Sequence, residues 1–235
     1  MLQQNATKKP TVALIHGAWT DGTAWQEIIP RLENAGYPVI AVQNSLTSLA
    51  DDVATTKRVI DAQIGPVIVV GHSYGGAVIT GAAAGNPNVK ALVYIAAAAP
   101  EVGEPLNALL GQFPTDLGTA LVPDAAGFIY LDRAKFHDLF AKDVSATTAQ
   151  VMAAAQKPVF GGIFEQSLKS AAWKTIPSWY LVAADDQVFS PKMERFMAER
   201  IGATTIEIKS SHVPFISHPN EVVGLIEAAA KATVQ

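Results

Sequence analysis

The sequence predicts a doubly wound α/β fold built on about six parallel strands. Three observations lead there. Short runs rich in Val, Ile and Leu recur along the chain, and amphipathic helical patterns separate them. The 235 residues, 49% hydrophobic and only 16% charged, can bury the core of one sizeable domain, where a disordered chain would show the reverse balance. Strand–helix–strand alternation with right-handed crossovers is the connectivity that lets helices cover both faces of a parallel sheet.

The first run is TVALIH at 11–16, followed by a helical pattern over 23–35 that spaces Trp25, Ile28, Ile29 and Leu32 on one side. YPVIAVQ at 37–43 is the second run, and Leu49, Val53, Val59 and Ile60 mark a helix over 48–63. PVIVVGH at 66–72 leads into a small, apolar helix at 75–85, and VKALVYIAAA at 89–98 is the fourth run. SWYLVAA at 178–184, a helix over 191–201, TTIEIKS at 204–210 and a helix over 220–232 complete the alternation. Nearly continuous apolar runs of this length read as strands buried on both faces. Between 101 and 174 the rhythm stops. No buried strand is evident there, and short helices fit around 105–112, 132–142, 145–156 and 164–172. An insertion of that length is too long for a loop and reads as a helical cap on a single domain spanning 1–235.

Composition narrows the functional classes. The net charge of −4 lowers the case for a nucleic-acid partner, because polyanion binding is carried by Lys and Arg. The absence of cysteine excludes disulfides, thiolate metal sites and cysteine nucleophiles. No pair of His or acidic residues has metal-ligand spacing with a third ligand, so no metal is expected. There is no run of ~18 apolar residues, so no membrane span is expected. The polar start MLQQNATKKP lacks the apolar core of a signal peptide. The chain therefore reads as cytoplasmic, a mature exported protein being the alternative, with homodimerisation left open.

The chemistry is carried by GHSYGG at 71–76, a G-x-S-x-G elbow that follows a strand and precedes a helix. Glycines on either side of Ser73 permit a tight turn, and the helix N-terminus favours developing negative charge. Without catalysis, Ser73 would be a helix cap. A serine nucleophile needs a base. Of the five histidines, His16 and His72 read as structural and His137 as solvated on a polar face of the cap. His218, before Pro219, reads as a turn residue. His212 follows the last strand, at the sheet edge where functional residues gather, and is the favoured base. Its acid partner should be Asp185 or Asp186, in the loop after 178–184. Oxyanion donors are expected from the N–H of Tyr74 and from the loop HGAWTDG at 16–22, where Gly17 permits the turn and Ala18 presents its N–H. Trp19 either borders the acyl site or packs the loop. Asp51 and Asp52 read as a solvated patch.

On these residues (His16-Gly17-Ala18, Gly71 to Gly76, Asp186 with Pro191, His212 with Pro219) the chain resembles the α/β-hydrolase family along its whole length. The resemblance implies that Asp186, ahead of the helix-opening Pro191, is the acid. It also implies that the family's first two strands are missing, that no cofactor is needed, and that small esters are hydrolysed through an acyl-enzyme. The HGAW-x-DG-x-x-W pattern is similar to the small esterase branch that includes plant methyl-esterases and hydroxynitrile lyases. Those lyases carry a Thr in the loop where Ala18 stands and a Lys near the site, which ranks lyase below lactonase as an alternative. A non-catalytic binding protein of this fold would usually have lost one of Ser73, Asp186 and His212. Six of the nine Phe residues (Phe113, Phe128, Phe136, Phe140, Phe160 and Phe164) lie in the cap and are candidates to line an apolar pocket.

Overall fold

The computed structural model describes residues 9–234; the polar N-terminal stretch before Lys9 lies outside them. The chain runs β1 (Thr11–Ile15), α1 (Ile29–Asn34), β2 (Val39–Val42), α2 (Leu49–Asp61), β3 (Val67–His72), α3 (Tyr74–Ala82) and β4 (Val89–Ile95). The insertion then carries α4 (Leu106–Gln112), β5 (Leu121–Pro123), β6 (Phe128–Leu131), α5 (Arg133–Phe140), α6 (Ala146–Ala155) and β7 (Val159–Phe160). The sheet resumes with β8 (Ser178–Ala183), α7 (Pro191–Arg200), β9 (Thr204–Ile208), α8 (Pro214–Ser217) and α9 (Pro219–Thr233). Among the described residues no helix is long and apolar enough to cross a membrane.

Six strands form one parallel sheet in the order β2-β1-β3-β4-β8-β9. The chain winds outward from β1 to β2, then returns past β1 to build the other half. The order reverses between β1 and β3, where Ile15 stands opposite Gly71. At such a switch point the loops leaving the carboxyl ends diverge and open a crevice. Two helical groups cover the sheet. α2 and α3 pack on each other, while α9 lies against β3, β4 and β8 and meets α1 through Arg31 and Asn220. Helix starts follow local chemistry: Ser48, Ser145 and Ser190 accept first-turn N–H groups, and Pro191 and Pro219 open α7 and α9.

The structure departs from the sequence expectations in four places. The insertion is not wholly helical: β5, β6 and β7 form a small antiparallel sheet, partly buried, whose three strands are too short to carry a readable alternation. The helix expected over 164–172 is absent. Short 3₁₀ turns occupy 161–165 and 172–174, and Leu168 between them bridges to Val102. The pattern over 23–35 is split into a 3₁₀ turn at 22–27 and α1, with Pro30 at the start of the latter. β9 is not buried on both faces, because it is an edge strand whose Thr204, Thr205 and Glu207 face solvent.

Strand β3 and helix α3 cross β1 with no spare room. A Cβ on Gly75 would stand 2.6 Å from the Ile15 carbonyl oxygen and 2.7 Å from that of His16. Both obstacles are backbone and cannot rotate away. Gly75→Ala is therefore expected to cost about 1–3 kcal/mol, the range for overpacking a close-packed core, read as a lower urea midpoint. An unchanged midpoint would mean that α3 can slide on β1.

Candidate active site

Ser73 sits between β3 and α3 with φ 53° and ψ −126°, a left-handed backbone that L side chains avoid. Its N–H donates to the Ile95 carbonyl, and its own carbonyl accepts from Gly76 and Ala98, so neighbouring strands hold the turn. The Ser73 Oγ lies 2.8 Å from His212 Nε2. On the other side of the ring, His212 Nδ1 lies 2.5 Å from Asp186 Oδ2. The second oxygen of Asp186 accepts from the N–H groups of Val188 and Phe189 at 2.6 and 3.1 Å. All three side chains are buried. The structure thus brings Ser73, Asp186 and His212 into one hydrogen-bonded line. Asp185 points to solvent, and His218 lies outside the line with Ser217 as its partner.

The first loop lies directly on Ser73. A Cβ on Gly17 would meet the Ser73 Cβ at 2.7 Å, so only glycine lets the loop approach this closely. His16 holds that loop from beneath: its Nδ1–H donates to the Gly17 carbonyl, and its Nε2 accepts the Asn44 N–H at 3.0 Å. Burial lowers the His16 pKa and keeps the ring neutral, as this pairing requires. Ala18 borders the cavity beside Ser73, and Tyr74 opens α3, so its N–H is a first-turn donor without an intrahelical acceptor.

That cavity is narrow, about 50 Å³, and mostly apolar. Leu106, Leu110, Leu117, Leu121 and Phe164 of the insertion line it, with Val188 and Phe189 of the acid loop and Trp19. Trp19 does two things at once. It borders the cavity, and its Nε1–H donates to the Ile129 carbonyl at 3.0 Å, tying the first loop to the insertion. Of the six insertion phenylalanines, only Phe164 lines the cavity. Phe128 and Phe160 pack on each other, Phe113 packs on Phe196, and Phe136 packs on Phe140. Phe140 in turn lays its edge against the His212 ring, with centroids 5.0 Å apart.

Other buried groups support the line and were misread or passed over in the sequence. Asp52 is not solvated. It is fully buried, accepts the Tyr74 hydroxyl at 2.9 Å, and accepts the N–H groups of Ser45 and Leu46. Burial first, then the Asp52 charge, raises the Tyr74 pKa far enough that the hydroxyl stays a donor. His137 is half-buried with its Nε2–H donating to the Val144 carbonyl, not solvated. Glu194 is fully buried, with Oε2 accepting the Ala183 N–H at 2.9 Å. Burial and the nearby Asp186 charge push its pKa well up, so it is a neutral acid. Its Ser-Pro-x-x-Glu spacing after Asp186 was the available signal, but one helical turn does not reveal burial. His72, adjacent to Ser73, donates from Nε2 to the His212 carbonyl at 2.8 Å.

A model of the alpha/beta hydrolase family matches residues 12–225. A probable hydrolase of Phoma sp. is 24% identical over 243 residues, covering 94% of this chain and 98% of that protein. Polyneuridine aldehyde esterase of Rauvolfia serpentina is 24% identical over 251 residues, covering 93% and 94%. Among solved structures, a pyrethroid hydrolase from Sphingobium faniae superposes with a TM-score of 0.83 at 22% identity, covering 95% of this chain and 98% of that one.

Burial, and then the charge of the neighbouring His212, hold the His72 pKa well below its ordinary 6.5, so the folded ring stays neutral while the unfolded ring takes up a proton. The stability that His72 contributes is thus present above pH ~6.5 and lost as pH falls below it. Melting temperature is expected to drop between pH 7 and 5, and less steeply in His72→Gln, whose amide N–H can still donate to the His212 carbonyl. Parallel curves would assign the drop to other groups.

Proposed function

The chain belongs to the alpha/beta hydrolase family, and we propose that within it the protein is a serine carboxylesterase acting on small, mainly apolar esters through an acyl-enzyme. The observation that carries this reading is the line Ser73–His212–Asp186, buried beneath an apolar cavity. The named esterases and hydrolases that it resembles over nearly its whole length support the same reaction class.

The geometry allows each step. As Ser73 Oγ attacks the ester carbonyl, its proton passes to His212 Nε2, and the carbonyl π pair becomes an oxyanion facing the Ala18 and Tyr74 N–H groups. Asp186, held by two backbone donors, stabilises the imidazolium at Nδ1. Collapse of the adduct breaks the bond to the leaving alkoxide, which takes the proton from Nε2. Water then gives its proton to Nε2 as it attacks the acyl-Ser73 carbonyl, and the second collapse releases the acid and restores the Ser73 hydroxyl. Ala18 and the lack of any lysine along the described cavity lining weigh against a lyase.

Ser73→Ala is expected to lower turnover of nitrophenyl esters on the order of 10⁶-fold, with an unchanged melting temperature. More than a few per cent residual activity would remove Ser73 from the mechanism. Asp186→Asn is expected to cost on the order of 10⁴, whereas Asp185→Asn, on the exposed neighbour, should be nearly silent. Likewise His212→Ala should inactivate and His218→Ala should not.

Acyl-length preference locates the specificity wall. Phe164→Ala is expected to admit longer acyl chains, each methylene in an apolar pocket being worth roughly 1–3 kcal/mol. Phe113→Ala and Phe160→Ala, away from the cavity lining, should leave the ranking of acetate, butyrate and hexanoate esters unaltered. If all three variants kept the wild-type ranking while folded, the insertion would not set specificity.

A further inference from the structure

His212 stands in a loop without ladder or helix, between β9 and α8, yet its ring must hold hydrogen-bond distance to Ser73. Three contacts locate it. Asp186 holds the ring at Nδ1, and His72 holds the carbonyl. The third comes from the insertion. Asp143, in the turn between α5 and α6, accepts the Ser211 N–H at 3.0 Å with one carboxylate oxygen and the Ser211 hydroxyl with the other. Ser211 shares a peptide bond with His212, so a two-point grip on it fixes the backbone from which the imidazole projects.

We propose that Asp143 is a positioning residue for the base: through Ser211 it sets the backbone of His212, so that the insertion places the catalytic ring as well as shaping the cavity. The inference rests on the ester-hydrolysis reading above. Its own support is geometric. The turn carrying Asp143 is braced before it meets Ser211, with the Ala141 N–H donating to His137, the His137 ring donating to Val144, and Ser145 capping α6. Phe140, three residues earlier, packs on the His212 ring, so one stretch of the insertion touches both that ring and the residue before it in the chain. His218 Nδ1 flanks the carboxylate at 3.7 Å while bonded to the Ser217 hydroxyl, which gives the second histidine of this loop a place beside the grip. Asp143 is half-buried, and burial alone would raise its pKa. The hydrogen bonds from the Ser211 hydroxyl and N–H outweigh that and hold it below the usual range, so it is an ionised acceptor.

The test compares wild type, Asp143→Ala and Asp143→Asn on nitrophenyl acetate and hexanoate. Turnover is counted per active site titrated with a fluorophosphonate, and melting temperature is measured alongside. A catalytic group displaced by about 1 Å can cost on the order of 10²-fold. Asp143→Ala is therefore expected to lower kcat by about that factor on both esters, with KM within about twofold and slower labelling of Ser73. Asp143→Asn, which keeps one acceptor oxygen for the Ser211 hydroxyl, should recover part of the loss. Wild-type kcat per titrated site in folded Asp143→Ala would overturn the proposal. So would a change confined to KM or to the ester ranking, which would make Asp143 a wall residue. Wild-type protein that labels at Ser73 but cleaves neither ester would sink the esterase reading alone, and the labelling rates of the variants would still decide the role of Asp143. A wild type that neither labels nor cleaves would overturn both.

Discussion

The left-handed turn at Ser73 is the constraint on which the site depends. Such a backbone costs a non-glycine residue about 1–3 kcal/mol and persists only where its surroundings over-determine it. Here the over-determination is visible. The Ser73 peptide is held by Ile95 and Ala98, and α3 is pressed onto the carbonyl ends of β1 at Gly75. The Gly17 loop closes over the Ser73 Cβ. Because β1 and β3 adjoin at the switch point of the sheet, Ser73 and the Ala18 loop come together without a long connection.

Around that turn the buried polar groups are arranged so that one carboxylate faces His212. Asp186 carries it and is satisfied by two backbone donors and the imidazole. The adjacent Glu194 is kept neutral by burial and by the Asp186 charge. His72 beneath the His212 ring is neutral too. On the other flank, Asp52 accepts the Tyr74 hydroxyl and two loop N–H groups, which ties the residue after Ser73 to α2. Buried groups of this kind specify one arrangement because each lost partner would leave a costly orphan.

The insertion is coupled to this arrangement at several points. Trp19 hydrogen-bonds to β6, Phe140 packs on His212, Phe164 walls the cavity, and Asp143 grips Ser211. One segment thus touches the Trp19 loop, the His212 ring and the cavity beside Ser73 at once.

Much of the fold was legible because it is written locally. The apolar runs placed all six sheet strands to within a few residues, and the glycine spacing around Ser73 announced a tight strand–helix turn. Serine and proline caps marked several helix starts. Where the local signal was weak the reading failed, as with the short strands of the insertion, the half-exposed edge strand β9 and the irregular stretch around Leu168. Asp52 looked like surface charge because a carboxylate with three buried donors has the same one-letter code as a solvated one.

By itself the sequence determined the order of strands and helices and the character of the Ser73 turn, because periodicity and glycine sterics act between near neighbours. The order of elements also favoured His212 among the histidines, but its contact with Ser73, which phenylalanine meets the cavity and which aspartates lie beneath the surface were decided only by the tertiary structure. Ser73 and His212 are 139 residues apart, and Asp143 is 68 residues from Ser211. No local pattern spans such separations; these contacts exist only because the parallel sheet brings its loops to one edge and the insertion folds back over them.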